Sequence, residues 1–288
     1  MIFTLTLSAE GRNDYGGGAS QDARDALSQM DRAFESLRDE MTAEDDYYAG
    51  RAVAAGILKN YRVFTGNPAL TAYLNKICLA IVINSRQPVL YNGFRAAILD
   101  SSEINAFATP GGHIFLTRAL VQCADSEDAL AAVIAHEVAH IQLRHAAAII
   151  ENQRLVQDLD AAAGRAASIA AGELSAAERA LLFREPVGET VNTLLKNGFS
   201  QSQEFDADAA AMGLLAGAGY DPSSLIEILK ILDKNQKEHP GGFNLTHPSP
   251  GLRIANAERL IGSYYVRDTR SYRRSRFKSS LQAARAFK

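Results

Sequence analysis

The sequence predicts an α+β fold, mainly α, with a small, mostly antiparallel sheet packed beside one histidine-bearing helix. Three observations carry that prediction. Apolar residues recur at helical spacing through most of the 288 residues. Strand character is confined to one stretch, about 94–117, which turns at Pro110-Gly111-Gly112. That stretch runs directly into the apolar helix bearing His136 and His140.

Taken in order, residues 1–19 read as a flexible leader, with Gly16-Gly17-Gly18 near its end. Its start, Met1 to Ala9, resembles the end of an export signal's apolar region without a basic flank, so it is either a truncated signal or a disordered lead-in. Ala23, Leu27, Met30, Phe34, Leu37 and Met41 form an apolar stripe at 3–4 spacing. That helix either lies on its own domain or self-associates through residues 23–41. Thr42-Ala-Glu-Asp45 resembles a capping box and opens a helix to about Asn60. Another helix spans about Pro68 to Ile83. Strands follow at 94–100, 104–108 and 113–117, with His113 read as a surface residue at the turn. Residues 151–200 are too long for a bare loop. Ten of the twenty residues from 161 to 180 are alanine, which predicts a helical excursion, placed to cover the site. Asp221-Pro222 stops one helix and starts the next. A single domain over 20–262 is expected, then a basic C-terminal tail over 263–288.

Bulk composition excludes some classes. A net charge of −3 gives no global pull toward nucleic acid. The charge is uneven, because Arg267 to Lys288 carries eight basic side chains against one acid. This tail is either a solvated terminal helix or a docking surface for a partner or an anionic membrane. No apolar run approaches the length that spans a bilayer, with 78–83 only six residues long, so no transmembrane segment is expected. Cys78 and Cys123 have no metal-binding spacing; they are buried thiols or one bridge.

The chemistry is read from His136-Glu137-Val138-Ala139-His140. On a helix, residues four apart share a face, so both imidazoles can hold one ion. Glu137 is rotated by roughly 100° from His136, beside the ion, where it can take a proton from an attacking water. This is the H-E-x-x-H pattern of zinc hydrolases. Asp125-Ser-Glu-Asp128 supplies capping oxygens at the start. If the helix continues past Arg144, His145 lies half a circle from His136 and is set aside as a ligand.

A catalytic zinc needs three protein ligands and one open position. The extended motif with a glycine and a third histidine downstream is absent, since Leu143 and Ala146 hold those places. The best candidate is Glu204, in Ser200-Gln-Ser-Gln-Glu-Phe-Asp-Ala-Asp208. Asp208 shares its helix face and can accept the outer N–H of a ligand histidine. Asp206 points elsewhere. In Leu245-Thr-His-Pro-Ser-Pro-Gly-Leu-Arg253, His247 precedes a proline and is expected to be extended. His247 and Arg253 are candidate donors to a developing oxyanion, and Arg253 is also placed with Asp208 behind the metal ligands.

Four stretches in order resemble the HtpX / CAAX-prenyl-protease type I metallopeptidases, gluzincins with H-E-x-x-H and a distant glutamate. They are Asn105 to Gly112, His136 to His140, Glu204-x-Asp-Ala-Asp208 with Gly219-Tyr-Asp-Pro222, and Thr246-His-Pro-Ser249 with Arg253. The match covers about 45 to 260. The resemblance implies a zincin-like metallopeptidase fold and one Zn2+ per chain on His136, His140 and Glu204. It makes Glu137 the general base, Asp208 a partner behind the ligands, and His247 a residue over the metal that closes the site or serves the substrate. Without spanning helices the chain is similar to the soluble branch, whose bacterial members are periplasmic or cell-envelope proteins; a cytoplasmic location is the other option. The tetratricopeptide domain of one such member is not expected here. One departure is Gln201 after Ser200, where the family usually has arginine.

The expected reaction is endopeptidase hydrolysis of polypeptide substrates, with Asn105, Ala106, Phe107 and Ala108 holding an extended chain at the sheet edge. A chaperone or assembly factor whose peptidase site is normally closed by His247 is the competing expectation. A purely structural zinc module would need four protein ligands and would have no use for Glu137.

Overall fold

The structure is a computed structural model that describes residues 41–153, 184–238, 242–248, 250–264 and 270–285. The leader, the 23–41 stripe up to its last residue and the middle of the 151–200 excursion lie outside these residues. The fold is α+β and mainly helical, as its sequence predicts.

Helix α1 (Ala43–Ile57) starts with the expected capping box, in which Thr42 accepts from the Asp45 backbone while Asp45 reaches back. Helix α2 (Pro68–Ile83) is capped by Asn67 with proline in its first turn. Three strands follow: β1 (Arg95–Leu99), β2 (Ala106–Thr109) and β3 (His113–Thr117). Their order is β1-β3-β2, so β2 is an edge. β2 and β3 are antiparallel across the Pro110–Gly112 turn, but β1 runs parallel to β3. The sheet is therefore mixed rather than mostly antiparallel. The link from 100 to 105 is long enough to step past one strand position, and β3 takes the place between β1 and β2. At the turn, Gly111 has φ 72°, and a Cβ there would sit 2.4 Å from Tyr47 Cα, so only glycine fits.

Alternation along the strands sorts two cores. Ala106, Ile114 and Leu116 face one cluster with Leu74, Ile81, Leu130, Ile134, Met212 and Leu215. Phe107 and Phe115 face a second with Val53, Ile57, Ile150, Leu194 and Phe199. Helix α3 (Arg118–Cys123) leads into α4 (Glu127–Gln142), whose N-cap Ser126 accepts from the Ala129 backbone. Every α4 residue from Glu127 to His140 is buried. A helix buried on all sides lies at a core's centre. It packs against α2, β2, α6 (Gln201–Gly217) and α7 (Ser223–Glu238). Between α4 and α6, helix α5 (Arg184–Asn192) packs on α1 and runs into the turn at Thr193–Asn197. Helices α8 (Phe243–Thr246) and α9 (Pro250–Leu260) follow α7.

The basic tail forms helix α10 (Arg270–Arg285), solvated on one face and docked on the other. Phe277 and Leu281 join the first core, and Arg273 pairs with buried Asp128 at 2.7 Å. Arg276 pairs with buried Glu127, which also accepts from Tyr73 at 2.7 Å and Tyr220 at 3.0 Å. The tail is thus tied to the first turn of the histidine helix. Burial pushes the Glu127 carboxyl up, but hydrogen bonds from Arg276, Tyr73 and Tyr220 outweigh it and hold the group below its ordinary value. Glu127→Gln is expected to cost about 1 kcal/mol at neutral pH, because solvent screens the half-exposed Arg276. A lowered native pKa contributes stability above the unfolded value of about 4.3, and that contribution fades as pH falls through the native one. Urea unfolding of both proteins at neutral pH and at about pH 3 checks the sign; a gap that widens in acid would contradict it.

Candidate metal centre

Helix α4 places His136 and His140 one turn apart on one face, their Nε2 atoms 3.0 Å from each other. Helix α6 crosses α4 and delivers Glu204 from its first turn, opened by a Ser200/Gln203 capping box. Its Oε2 lies 3.5 Å from His136 Nε2 and its Oε1 3.4 Å from His140 Nε2. His247 enters from the loop after α8, non-helical at φ −133° and ψ 81° before Pro248 rather than fully extended, with Nδ1 3.1 Å from Glu204 Oε1. One donor atom from each of the four lies within 4.8 Å of the others. None of the four residues is more than 3% exposed.

Comparison with known proteins follows this geometry. Residues 68–261 match Peptidase family M48. The chain belongs to that family. It is 30% identical over 214 residues to the β-barrel assembly-enhancing protease of Escherichia coli K12, covering 74% of this chain and 42% of that protein. The Yersinia pestis protein of the same name is 27% identical over 259 residues, 89% of this chain and 51% of the relative. The mitochondrial metalloendopeptidase OMA1 of Schizosaccharomyces pombe is 30% identical over 169 residues, 57% and 45% of the two chains. The chain thus spans about half the length of these relatives or less.

The M48 family implies a metal ion, and the residues fit one. Two imidazole Nε2 atoms facing at 3.0 Å, with a carboxylate beside both, suit a shared cation better than a shared proton. Both Glu137 oxygens are buried with no hydrogen-bond partner. Buried acceptors left that way are rare unless an ion or water completes them.

Behind the donors, Asp208 Oδ1 lies 3.0 Å from His136 Nδ1. Arg253, on α9 and 1% exposed, donates from Nε and Nη2 to the two Asp208 oxygens at 2.8 and 2.7 Å. Its Nη1 pairs with Glu204 Oε2 at 2.8 Å. Arg253 thus stands behind the ligands beside Asp208, with its nitrogens committed to two carboxylates. Burial would raise Asp208, yet the Arg253 charge and hydrogen bonds outweigh it and hold the group at about 2. Burial likewise opposes ionised Glu204, and Arg253 and His247 more than offset it. Glu137 is pushed up by burial; its Oε1 lies 3.7 Å from His247 Nε2.

Asn105 is buried, and its Oδ1 accepts from Thr246 Oγ1 and the Ala106 backbone, each at 2.9 Å, bracing the His247 loop. Ala106 and Phe107 turn their side chains into the cores, leaving main chain at the β2 edge. Ala108 borders a pocket of about 280 Å³ that also touches Ala43, Asp46, Gly111, His140 and Ala147. Helix α4 does not continue through His145. It ends at Leu143, Arg144 takes φ 58°, and His145 returns with Nδ1 2.8 Å from His140 Nδ1.

Sequence reasoning missed three residues. Phe199 stacks on His140 at 4.3 Å and Phe243 on His247 at 4.4 Å, fixing ring planes. His145 is the third. The rings gave no local signal, since aromatics at such positions read as ordinary core. As expected, Asp206 is exposed. His113 is part-buried against Tyr47, their rings 5.9 Å apart.

Proposed function

We propose that this chain is a zinc-dependent metalloendopeptidase that cleaves unfolded or misassembled polypeptides. The observation supporting this most is the buried His136, His140, Glu204 and His247 group with unpaired Glu137 beside it. His136, His140 and Glu204 hold one zinc ion per chain. When bound, zinc acidifies water and polarises a peptide carbonyl. Glu137 takes the proton of the attacking water and passes it to the leaving amine. Asp208 orients His136, and Arg253 steadies Asp208 and Glu204. The substrate lies extended along the main chain of β2, with the pocket beside Ala108 and His140 receiving part of it.

Within family M48 we place the chain near the HtpX / CAAX-prenyl-protease members, in a soluble cell-envelope branch. Supporting this are the four ordered motifs and relatives named for β-barrel assembly. No helix among the described residues is long and apolar enough to cross a membrane. The substrates would then be envelope proteins, with peripheral association at the membrane.

The burial of all four donors favours a second reading, in which the peptidase is normally latent and the chain acts in assembly quality control. His247 sits against Glu204 and 3.4 Å from His136 Nε2, so it can take the coordination place that water needs. His247→Ala is therefore expected to raise cleavage of unfolded chains several-fold in the zinc-loaded protein. A fall in rate would instead make His247 a donor to the transition state. Removal of zinc with a chelator should abolish cleavage in both proteins, and activity that persists without metal would sink the zinc-dependent reading.

A further inference from the structure

We infer that His145 is a positioning residue for the metal centre: as a neutral acceptor, it fixes which nitrogen of His140 faces the ion. The inference rests on the assignment of His140 as a ligand. His140 turns Nε2 toward His136 and Glu204, at 3.0 and 3.4 Å, so Nε2 must offer its lone pair there. The ring proton then belongs on Nδ1. That atom lies 2.8 Å from His145 Nδ1, and two lone pairs cannot face each other at such a distance. His140 therefore donates, His145 accepts, and the His145 proton sits on Nε2.

The chain turns sharply to achieve this. A helix continued through 143–145 would carry His145 away from the ligands. Arg144 breaks it with φ 58°, a left-handed conformation uncommon for a side chain with a Cβ. The turn is anchored by pairing of Arg144 with Asp46 on α1 and with Glu151 at 2.6 Å. Beyond the turn, His145 is 7% exposed and lies under the Phe199 ring that also covers His140, 5.7 Å from it.

The two helix-borne ligands thus have unlike partners. His136 meets a carboxylate, Asp208, whereas His140 meets an imidazole. Charge accounts for the difference. Glu137, Glu204 and Asp208 are already buried around the ion position, with Arg253 the guanidinium among them. A further carboxylate would add an anion with no matching cation, while a neutral imidazole supplies the acceptor without charge.

The test compares His145→Phe, which keeps a ring but has no acceptor, with His145→Asn, whose Oδ1 can replace Nδ1. Zinc affinity is measured by competition with a chromophoric chelator, the cobalt(II) spectrum reports coordination, and metal-free melting curves check folding. His145→Phe is expected to weaken zinc binding by about 10–100-fold and alter the cobalt bands, with His145→Asn close to wild type. Wild-type affinity in His145→Phe would overturn the inference. Equal weakening in both variants would also overturn it, leaving only a packing role. Wild-type protein that binds no zinc would overturn the ligand assignment itself, a separate result because none of these readouts depends on peptidase activity.

Discussion

Glu137→Gln is expected to retain bound zinc and lose about 10²–10⁴-fold in turnover, the range in which a positioned base contributes. The substitution is nearly isosteric, so the packing of α4 is kept. What disappears is the capacity to accept a proton. Glu137 is fully buried and neither oxygen has a hydrogen-bond partner, so no hydrogen bond is lost with the charge, only the longer contact to His247 at 3.7 Å. Burial also disfavours its ionised form, a cost that a neutral amide removes. Thermal stability should therefore hold or rise while activity falls, a combination that separates a functional carboxylate from a structural one. Cleavage of a casein-like chain beside zinc content by elemental analysis checks both halves. Turnover at the wild-type rate with full metal would remove Glu137 from the chemistry.

Arg253→Met should have the largest effect on stability. The guanidinium is buried, bonded to both Asp208 oxygens and paired with Glu204. Removing it leaves two carboxylates inside the protein with only imidazoles beside them. Breaking a buried pair by deleting one partner typically costs about 3–5 kcal/mol, most of it the penalty of the charge left behind. For a chain of this size that corresponds to a fall in Tm on the order of 10 °C. The loss should be smaller with zinc present, because the ion supplies Glu204 with positive charge that the metal-free variant lacks. Melting curves with and without zinc measure both effects. A Tm unchanged to within about 2 °C in the metal-free form would contradict this account of Arg253.

These two residues also mark how far the chain could be read before it was folded. Glu137 was legible because its place is set by the helix that carries it. Residues one and four apart have fixed relative directions, so the roles of His136, Glu137 and His140 could be inferred from spacing alone. Glu204 and Asp208 shared a face for the same reason, and the apolar residues around them indicated burial. Arg253 was legible only as a neighbour of the site. Nothing in its local sequence says whether a guanidinium on α9 points toward the substrate or, as it does, toward Asp208, 45 residues earlier.

The same division runs through the fold. The sequence by itself determined the helical periodicity, the caps at Thr42, Ser126 and Ser200, the glycine turn before β3, and the pairing of side chains within one helix. These depend on backbone geometry and neighbours a few residues away. Tertiary structure alone decided that β1 lies parallel to β3, that the basic tail binds α4, and that His247 reaches His136 across 111 residues. It also decided the return of His145, which hangs on one positive φ at Arg144 and on Arg144's pairing with Asp46, 98 residues earlier. Which distant surfaces meet is set by how whole elements pack, and no short window of sequence contains that information.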